Sequence, residues 1–373
     1  MNGRTTLCVE IWHSAEMGSL SALIEILGCL MVTATVLPLI RSDHWAIRVF
    51  DFPRLQIAVV SAAVFVASVW NLHAPGAADQ ALLAALVVSL LYQLVRIWPY
   101  TPLHAKQVQR VASPARERSL GILISNVLMT NRDSARLREL LRQMDPDVIL
   151  TVETDGWWEQ ELREFELTHP HFLKRPQGNT YGMLLYSRLP LVDPQIRTLV
   201  QDDVPSIHTG VRLRSGDVVN LRCLHPRPPV PGESKRSTER DAELLQVAEE
   251  LKNCDGPSLV VGDLNDVAWS RTNGLFQKLS GLLDPRVGRG FYSTFNANWP
   301  FVRFPLDHAF LSHHFRVAAF EVLPHVGSDH FPVFVKLALM PPAEPNPNRD
   351  PPAPSPSDEQ MAAEKISRAT RHR

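Results

Sequence analysis

The 373-residue sequence predicts a two-part chain: three membrane-spanning helices, then a layered α/β (α+β) domain. Three observations carry this reading. Residues 18–40, 55–72 and 80–98 are apolar runs, each near the roughly 17–25 residues that cross a hydrocarbon core. From residue 119 the texture changes to short apolar strands interleaved with a few helices. Polar residues suited to chemistry recur where those apolar strands end or begin, on the rim that a rigid sheet presents to solvent.

The first run, GSLSALIEILGCLMVTATVLPLI, is broken only by Glu25. A carboxylate there is costly in hydrocarbon and marks either a functional position or a contact with a neighbouring helix. LQIAVVSAAVFVASVWNL and QALLAALVVSLLYQLVRIW follow, and none of the three shows the polar face of a surface helix. Trp45, Trp70, Trp98 and Tyr100 lie at or near the ends of the runs, as interfacial aromatics do. The first run is too long for a signal-peptide core, and two more follow it. Arg41, Arg48 and Arg54 lie in the 41–54 loop; Lys106, Arg110, Arg116 and Arg118 follow the third run, whereas the 73–79 loop has no Lys or Arg. Counted by the positive-inside rule, the C-terminal domain faces the cytoplasm. The count is void if those arginines bind lipid headgroups or phosphates.

Residues 1–98 are thus the membrane region, and 99–118 read as a basic, Pro-containing juxtamembrane linker. In the domain at 119–340, SLGILISNVLM, PDVILTVE, YGMLLYSR, GVRLRSG, VVNLRCLH, PSLVVGDLN, DHAFLSH and FPVFVKLAL read as strands. SARLRELLRQM, with Ser134 as its N-cap, and STERDAELLQVAEELKNC read as helices. Residues 341–373 are Pro-rich and of low complexity, which predicts disorder. The formal net charge of −1 provides no global basic field for nucleic acid. Cys8, Cys29, Cys223 and Cys254 lack CxxC spacing and read as free thiols, with neither a zinc site nor a disulfide framework.

The candidate site residues are Asn126 after ILIS, Glu153 after VILTV, His225 after VVNLRCL, Asp263 and Asn265 in GDLN, Asp307 before HAFL, and Asp329 and His330 in GSDHF. Any one alone is an ordinary turn or surface residue. As a set they form an oxygen-rich inventory without cysteine, suited to a hard cation such as Mg²⁺ or Mn²⁺. Such cations serve phosphate chemistry, with a carboxylate or imidazole activating water.

In this order the residues resemble the endonuclease/exonuclease/phosphatase superfamily, the DNase-like metal-dependent phosphodiesterases, and GMLLYSRLPL at 182–191 adds to the resemblance. The resemblance covers residues 119–340 and implies a four-layered sandwich of two packed β-sheets flanked by helices. It implies Glu153 as the main metal ligand, with Asn126 and Asp329 supporting it. Asp263 would orient or deprotonate the attacking water, and Asn265 would hold the phosphate and Asp263. His330 would bind the phosphoryl oxygen with Asp307 fixing its tautomer, and His225 would be a second phosphate-directed histidine or the leaving-group acid. Many nucleases of the superfamily carry an acid shortly after the first Asn; SNVLMTN has none, leaving Asn131 as a substitute or a helix-start residue. Trp157, Trp158, Trp269 and Trp299 flank the site segments, either as core or as the rim of a groove for an apolar or aromatic substrate.

The expected protein is a multi-pass enzyme of the bacterial plasma membrane hydrolysing a phosphodiester or diphosphate bond. The anchor favours a lipid-linked phosphate, and some membrane-tethered members of the superfamily act on polyprenyl diphosphates. DNA or RNA is the alternative substrate, and an inactive membrane scaffold a further one. A transporter fits poorly, because three spans without paired repeats leave the large domain unexplained. Ser-Asp-His occurs a second time, at Ser42-Asp43-His44, where it reads as part of an interfacial loop.

Overall fold

The computed structural model describes residues 3–71, 76–341 and 348–371, with side chains from Ser19 onward. The Cys8 side chain, Leu72, the following loop residues 73–75 and tail residues 342–347 lie outside the described residues. The chain falls into two compact units: Met1–Ser42 with Ala46–Trp98, and Asp43–Trp45 with Pro99–Arg373.

The first unit is built on α1 (Gly3–Val36), the single turn α2 (Trp45–Arg48), α3 (Arg54–Asn71) and α4 (Ala77–Ile97). Ser19–Leu39, Arg54–Asn71 and Ala77–Tyr100, with mean hydropathy 2.1, 1.4 and 1.9, are long and apolar enough to cross a membrane. Ile24, Val64 and Leu86 pack at the centre, while Leu23, Val66, Val88 and Val95 point outward. A polar chain ties the helices: Gln93 donates to Thr35 (3.0 Å), Arg54 donates to Gln93 (3.0 Å), and Asp51 pairs with Arg48 (2.8 Å) and Arg54 (2.5 Å). Two of the three loop arginines behind the orientation count, Arg48 and Arg54, are therefore buried inside the unit and share one carboxylate, Asp51. Glu25 borders a small cavity with Ser68, Asn71 and Asp79 of the other helices, which is the helix-contact alternative.

Among the described residues the second unit holds eleven strands, numbered in chain order. β1 (Ser119–Asn126), β2 (Val148–Val152), β3 (His171–Arg175), β4 (Met183–Ser187), β10 (Phe315–Val322) and β11 (Val333–Leu339) form one sheet in the order β10-β11-β1-β2-β4-β3. β5 (Leu191–Thr198), β6 (Pro205–Arg212), β7 (Val218–Cys223), β8 (Ser258–Asp263) and β9 (Asp307–Leu311) form the other, in chain order. The alternation of β1 shows how the layers arise. Leu120, Ile122 and Ile124 enter a core shared with Leu221, Val261 and Leu311 of the second sheet. Leu123 faces outward onto Leu137, Leu140 and Leu141 of α5 (Ala135–Met144), beside α6 (Gly156–Glu161). On the far side, α7 (Thr238–Lys252), α8 (Arg271–Ser280) and α9 (Pro356–Thr370) cover the outer face of the second sheet. The expected four-layered sandwich is what forms.

β1 and β2 are parallel, as are β7 and β8. β11 is antiparallel to β1, and β9 to β8. Four strands therefore end at one rim where two others begin, and this delivers every candidate residue to the same edge.

The sequence reading needs several corrections. The tail is not disordered throughout, because α9 buries Ala362 and Ala369 and is anchored by Lys252–Glu359 (2.7 Å) and Lys278–Asp358 (3.1 Å). Pro-rich composition masked a helix start: Ser355 caps with Asp358, and Pro356 occupies the first turn. Segment 99–118 is not a free linker, since Tyr100 and Val108 are buried. Ser134 is at the N-cap position, but its hydroxyl donates to Glu161 (2.5 Å) and caps nothing. β3, β5, β10, α6 and α8 went unread. β5 is an edge strand with Pro194 inside an irregular pairing between Val192 and Gln195, a pattern that breaks alternation.

Candidate active site

Two glycines permit the site. A Cβ on Gly182 would lie 1.7 Å from the carbonyl oxygen of Thr154, which forms the turn after Glu153. A Cβ on Gly262 would lie 1.9 Å from the oxygen of Leu224, beside His225. Close backbone approach at both points brings the turns after β2 and β7 to the rim. Glu153 and Asn265 have left-handed backbones, with φ of 59° and 51°, which turn their side chains out of the strand direction.

Asn126 bridges the two sheets. Its amide nitrogen donates to Glu153 (2.8 Å) and to Asp263 Oδ2 (3.0 Å), and its oxygen accepts from the Leu128 N–H (3.0 Å). One lone pair of that oxygen stays open to a cation. The backbone N–H of Asn265 fixes Asp263 Oδ1 (2.9 Å). The Asn265 side chain donates to the Pro226 carbonyl (3.0 Å), so it holds the turn that carries His225. The His330 ring lies between two carboxylates: Nδ1 is 2.8 Å from Asp307 and Nε2 is 3.5 Å from Asp263. His225 Nε2 lies 3.9 Å from the same Asp263 oxygen, and His225 Nδ1 has no partner. Glu153 and Asp329 are half-buried, whereas Asn126, His225, Asp263, Asp307 and His330 are buried.

The electrostatics divide the groups. Burial pushes the Glu153 carboxyl up; the Asn126 hydrogen bond opposes this, Asp263 adds to it, and the result is about 7. Burial works against the charged ring of His330, but Asp307 and Asp263 override it and raise it to about 10. Burial holds His225 down at about 4, against the pull of Asp263. At neutral pH one imidazole is a cation and the other is neutral.

The donor set fits a hard divalent cation. Among the described residues, Glu153, Asp263 and Asp307 converge with one imidazolium as their cation, and the buried Oδ1 of Asp307 has no hydrogen-bond partner. The ligating atoms of Asp263, Asp307 and His330 lie within 4.8 Å of one another. Both nitrogens of His330 face carboxylates, however, Nδ1 in a hydrogen bond to Asp307 and Nε2 at ion-pair distance from Asp263, so this closeness is that of a charge-paired histidine. Glu153, half-exposed and lacking a cationic partner, is the better place for the ion.

The model of the Endonuclease/Exonuclease/phosphatase family matches residues 123–330, more than half of the chain. The chain belongs to this family. It is accordingly a metal-dependent hydrolase of phosphoester bonds. No curated protein matches the sequence significantly. Among solved structures, the human Nocturnin catalytic domain with bound sulfate has a TM-score of 0.50 at 16% identity, covering 62% of this chain and 98% of that one. That likeness shows the fold. An endonuclease/exonuclease/phosphatase from Beutenbergia cavernae scores 0.48 at 18% identity, covering 60% of this chain and 72% of that one. Zebrafish (D. rerio) TDP2 complexed with a single-strand DNA product scores 0.48 at 20% identity, covering 59% and 98%.

Within this family domain all eight predicted residues meet at one rim. Asn131, the candidate substitute for the family's early acid, braces loops instead: its amide lies 3.3 Å from the carbonyls of both Val127 and Val326. Trp158 and Trp269 are core, Trp157 lies under Arg132, and Trp299 is 66% exposed. Three neighbours went unread. Tyr181 packs its ring 5.6 Å from His225 and donates to Glu233 (2.6 Å). Thr294 accepts from the Asp307 N–H (3.2 Å). Phe295 lies 5.0 Å from the His330 ring. Tyr181 immediately precedes the GMLLYSRLPL stretch and was the most findable; Thr294 and Phe295 lie in an irregular segment with no periodic signal.

Proposed function

We propose that the protein is a membrane-anchored phosphoesterase that uses Mg²⁺ or Mn²⁺ to hydrolyse a phosphodiester or diphosphate bond of a lipid-linked phosphate. The observation that carries the lipid assignment is a loop at the site's edge. Trp299, Phe301 and Val302 are 66%, 85% and 48% exposed, while the base of the same loop holds the Asp329 carbonyl through Ala297 N–H (2.7 Å) and packs the Phe295 ring at a tilt against His330. An apolar tip beside polar catalytic groups suits a substrate with an apolar chain and an anionic head. The three apolar helices and the net charge of −1 support the same choice.

In this reading Glu153 would hold the cation, with Asn126 and Asp329 beside it, and the chemistry the ion would supply is neutralisation of phosphoryl charge. Asp263, fixed by Asn265 N–H and Asn126, orients the attacking water and takes its proton. His330 offers Nε2–H to a phosphoryl oxygen, and Asp307 fixes the opposite nitrogen as a donor. His225 assists at the phosphate or at the leaving oxygen. Asn265 acts on phosphate only through the two turns it holds.

The test is a substrate panel on the full-length protein in detergent or lipid discs: polyprenyl diphosphate, phospholipid, DNA and RNA, each with Mg²⁺, Mn²⁺ or chelator. Faster turnover of a lipid phosphate, abolished by chelator, is the expected result. Activity indifferent to chelator sinks the site assignment, and preferential cleavage of DNA or RNA sinks the lipid assignment.

A further inference from the structure

The segment after the third apolar helix returns onto the catalytic domain and lines a half-open polar cavity. Pro99, the residue following Trp98, accepts from the Gly288 N–H (2.8 Å), and buried Tyr100 donates to the Ala268 carbonyl (2.7 Å). Ten residues further on, the chain pairs with β10: Val317 N–H donates to Gln109 O (2.9 Å) and Val111 N–H to Val317 O (3.0 Å). Between these anchors, residues of 102–110 line a cavity of about 470 Å³ against β10 and the 288–292 turn. That is within the range of small-ligand sites.

The approach is built. Gly288 has φ +75°, and a Cβ there would lie 2.7 Å from the Lys106 Cα, so any other residue would push the segment away. The β10–β11 register shifts between Val317 and Ala319, and this irregularity puts Ala318 on the cavity wall.

The charge is one-sided. Lys106, Arg110 and Arg289 line the cavity against a single carboxylate, Glu321. Among the described residues no ion pair joins any of these three cations to an acid. Arg289 is fixed, donating to the carbonyls of Pro285 (2.8 Å) and Val108 (2.6 Å). Burial depresses its basicity, and the charge of Arg110 adds to the effect. Three cations gathered against one carboxylate leave an excess of positive charge that an anion would offset. Beside them, Tyr292 and Phe320 stack edge-on (4.8 Å) to give the cavity an apolar wall. Leu103, 79% exposed, sits in the same segment, within five residues of the third apolar helix.

We propose that this cavity binds the phosphate headgroup of an anionic lipid, at a site separate from the catalytic rim. Phosphate meets Lys106, Arg110 and Arg289, while the glycerol and first chain carbons lie on Tyr292 and Phe320. The proposal rests on the reading that the three helices cross a bilayer, since Pro99 follows the third apolar run directly in the chain. Basic pockets next to spans recognise anionic headgroups in this way.

The experiment uses the full-length protein in neutral detergent, titrated with short-chain phosphatidylglycerol, short-chain phosphatidylcholine and inorganic phosphate. Phosphatidylglycerol is expected to bind at least about tenfold tighter than the other two. The variant Lys106→Gln/Arg110→Gln, altered only at exposed side chains, should lose about tenfold in that affinity. It should keep its rate on a soluble phosphodiester. Equal affinity in wild type and variant overturns the site, and equal binding of phosphate or phosphatidylcholine overturns the ligand. Carbonate extraction of membranes separates the two readings. Release of the protein fails the anchoring, whereas retention together with unchanged binding in the variant fails the cavity alone.

Discussion

Two clusters of buried charge lie side by side in the catalytic unit and are built on opposite rules. In one, every carboxylate has a fixed cation. Lys365 of α9 pairs with Asp43 (2.6 Å) and Asp241 (2.7 Å), and Arg240 pairs with Asp241 (2.9 Å) and Asp266 (3.2 Å). In the other, Glu153, Asp263 and Asp307 share only the His330 imidazolium. The clusters touch where Arg240 donates to the carbonyl of Asn265 (2.6 Å). A compensated cluster holds the chain in place. An uncompensated one is tolerated where something cationic arrives, and this charge deficit is what supports reading the rim as the active site.

The comparison also separates the two Ser-Asp-His copies. Asp329 and His330 belong to the deficient cluster. Asp43 belongs to the paired one: its carbonyl accepts from Ser237 N–H (2.8 Å), its carboxylate receives Lys365, and Trp45 N–H donates to Lys235 O (3.0 Å). The first copy fastens residues 43–45 to α7 and α9; identical tripeptides differ entirely by context.

The sharpest way to break the contrast is to neutralise the deficient side. Asp263→Asn and His330→Ala should each lower the hydrolysis rate by about 10²–10⁴-fold. Melting temperature should hold or rise for Asp263→Asn, since a carboxylate is removed from a site rich in them. A rate within a factor of about three of wild type would remove either residue from the chemistry.

On the paired side the signs reverse. Lys365→Met leaves Asp43 without its cation and Asp241 with Arg240 alone, and should destabilise the domain by about 3 kcal/mol. Adding Asp43→Asn should recover most of that loss, because Asp241 keeps Arg240 while the other two charges vanish together. Denaturant melts of the single and double variants give the answer. Equal destabilisation in both would mean that packing, rather than charge, makes the contact.

How much of this was legible depended on range. Strand-end chemistry was readable because a buried strand is a short apolar run and its last polar residue stands out, as with Asn126, Glu153 and Asp263. The sandwich architecture came through the family resemblance, since periodicity gives strands but not their pairing. The paired cluster was invisible. Asp43 and Lys365 are 322 residues apart, and nothing local distinguishes either from a solvated charge. Helix α9 was hidden by the prolines around it, whose composition outweighed the DEQMAAEKISRAT stretch of strong helix formers.

A third arrangement sharpens the rule, with the smallest expected effect. Glu243 of α7 is fully buried, its Oε1 has no hydrogen-bond partner, and burial alone pushes its carboxyl up to about 8. It has neither a fixed cation nor a place on the rim, so it stays folded by keeping its proton. Unfolded, the group titrates near its ordinary 4.5. Between those values the folded state holds the extra proton, so stability is full below about 4.5 and declines as pH rises toward 8. Glu243→Gln mimics the protonated form and should flatten that decline, adding on the order of 2 kcal/mol at pH 8 and little at pH 5. Melts of wild type and variant across this range decide the matter. A variant that loses stability with pH as steeply as wild type would place the titrating group elsewhere and leave Glu243 ionised in the core, contrary to the rule that a buried carboxylate without a cation must take up a proton or a metal.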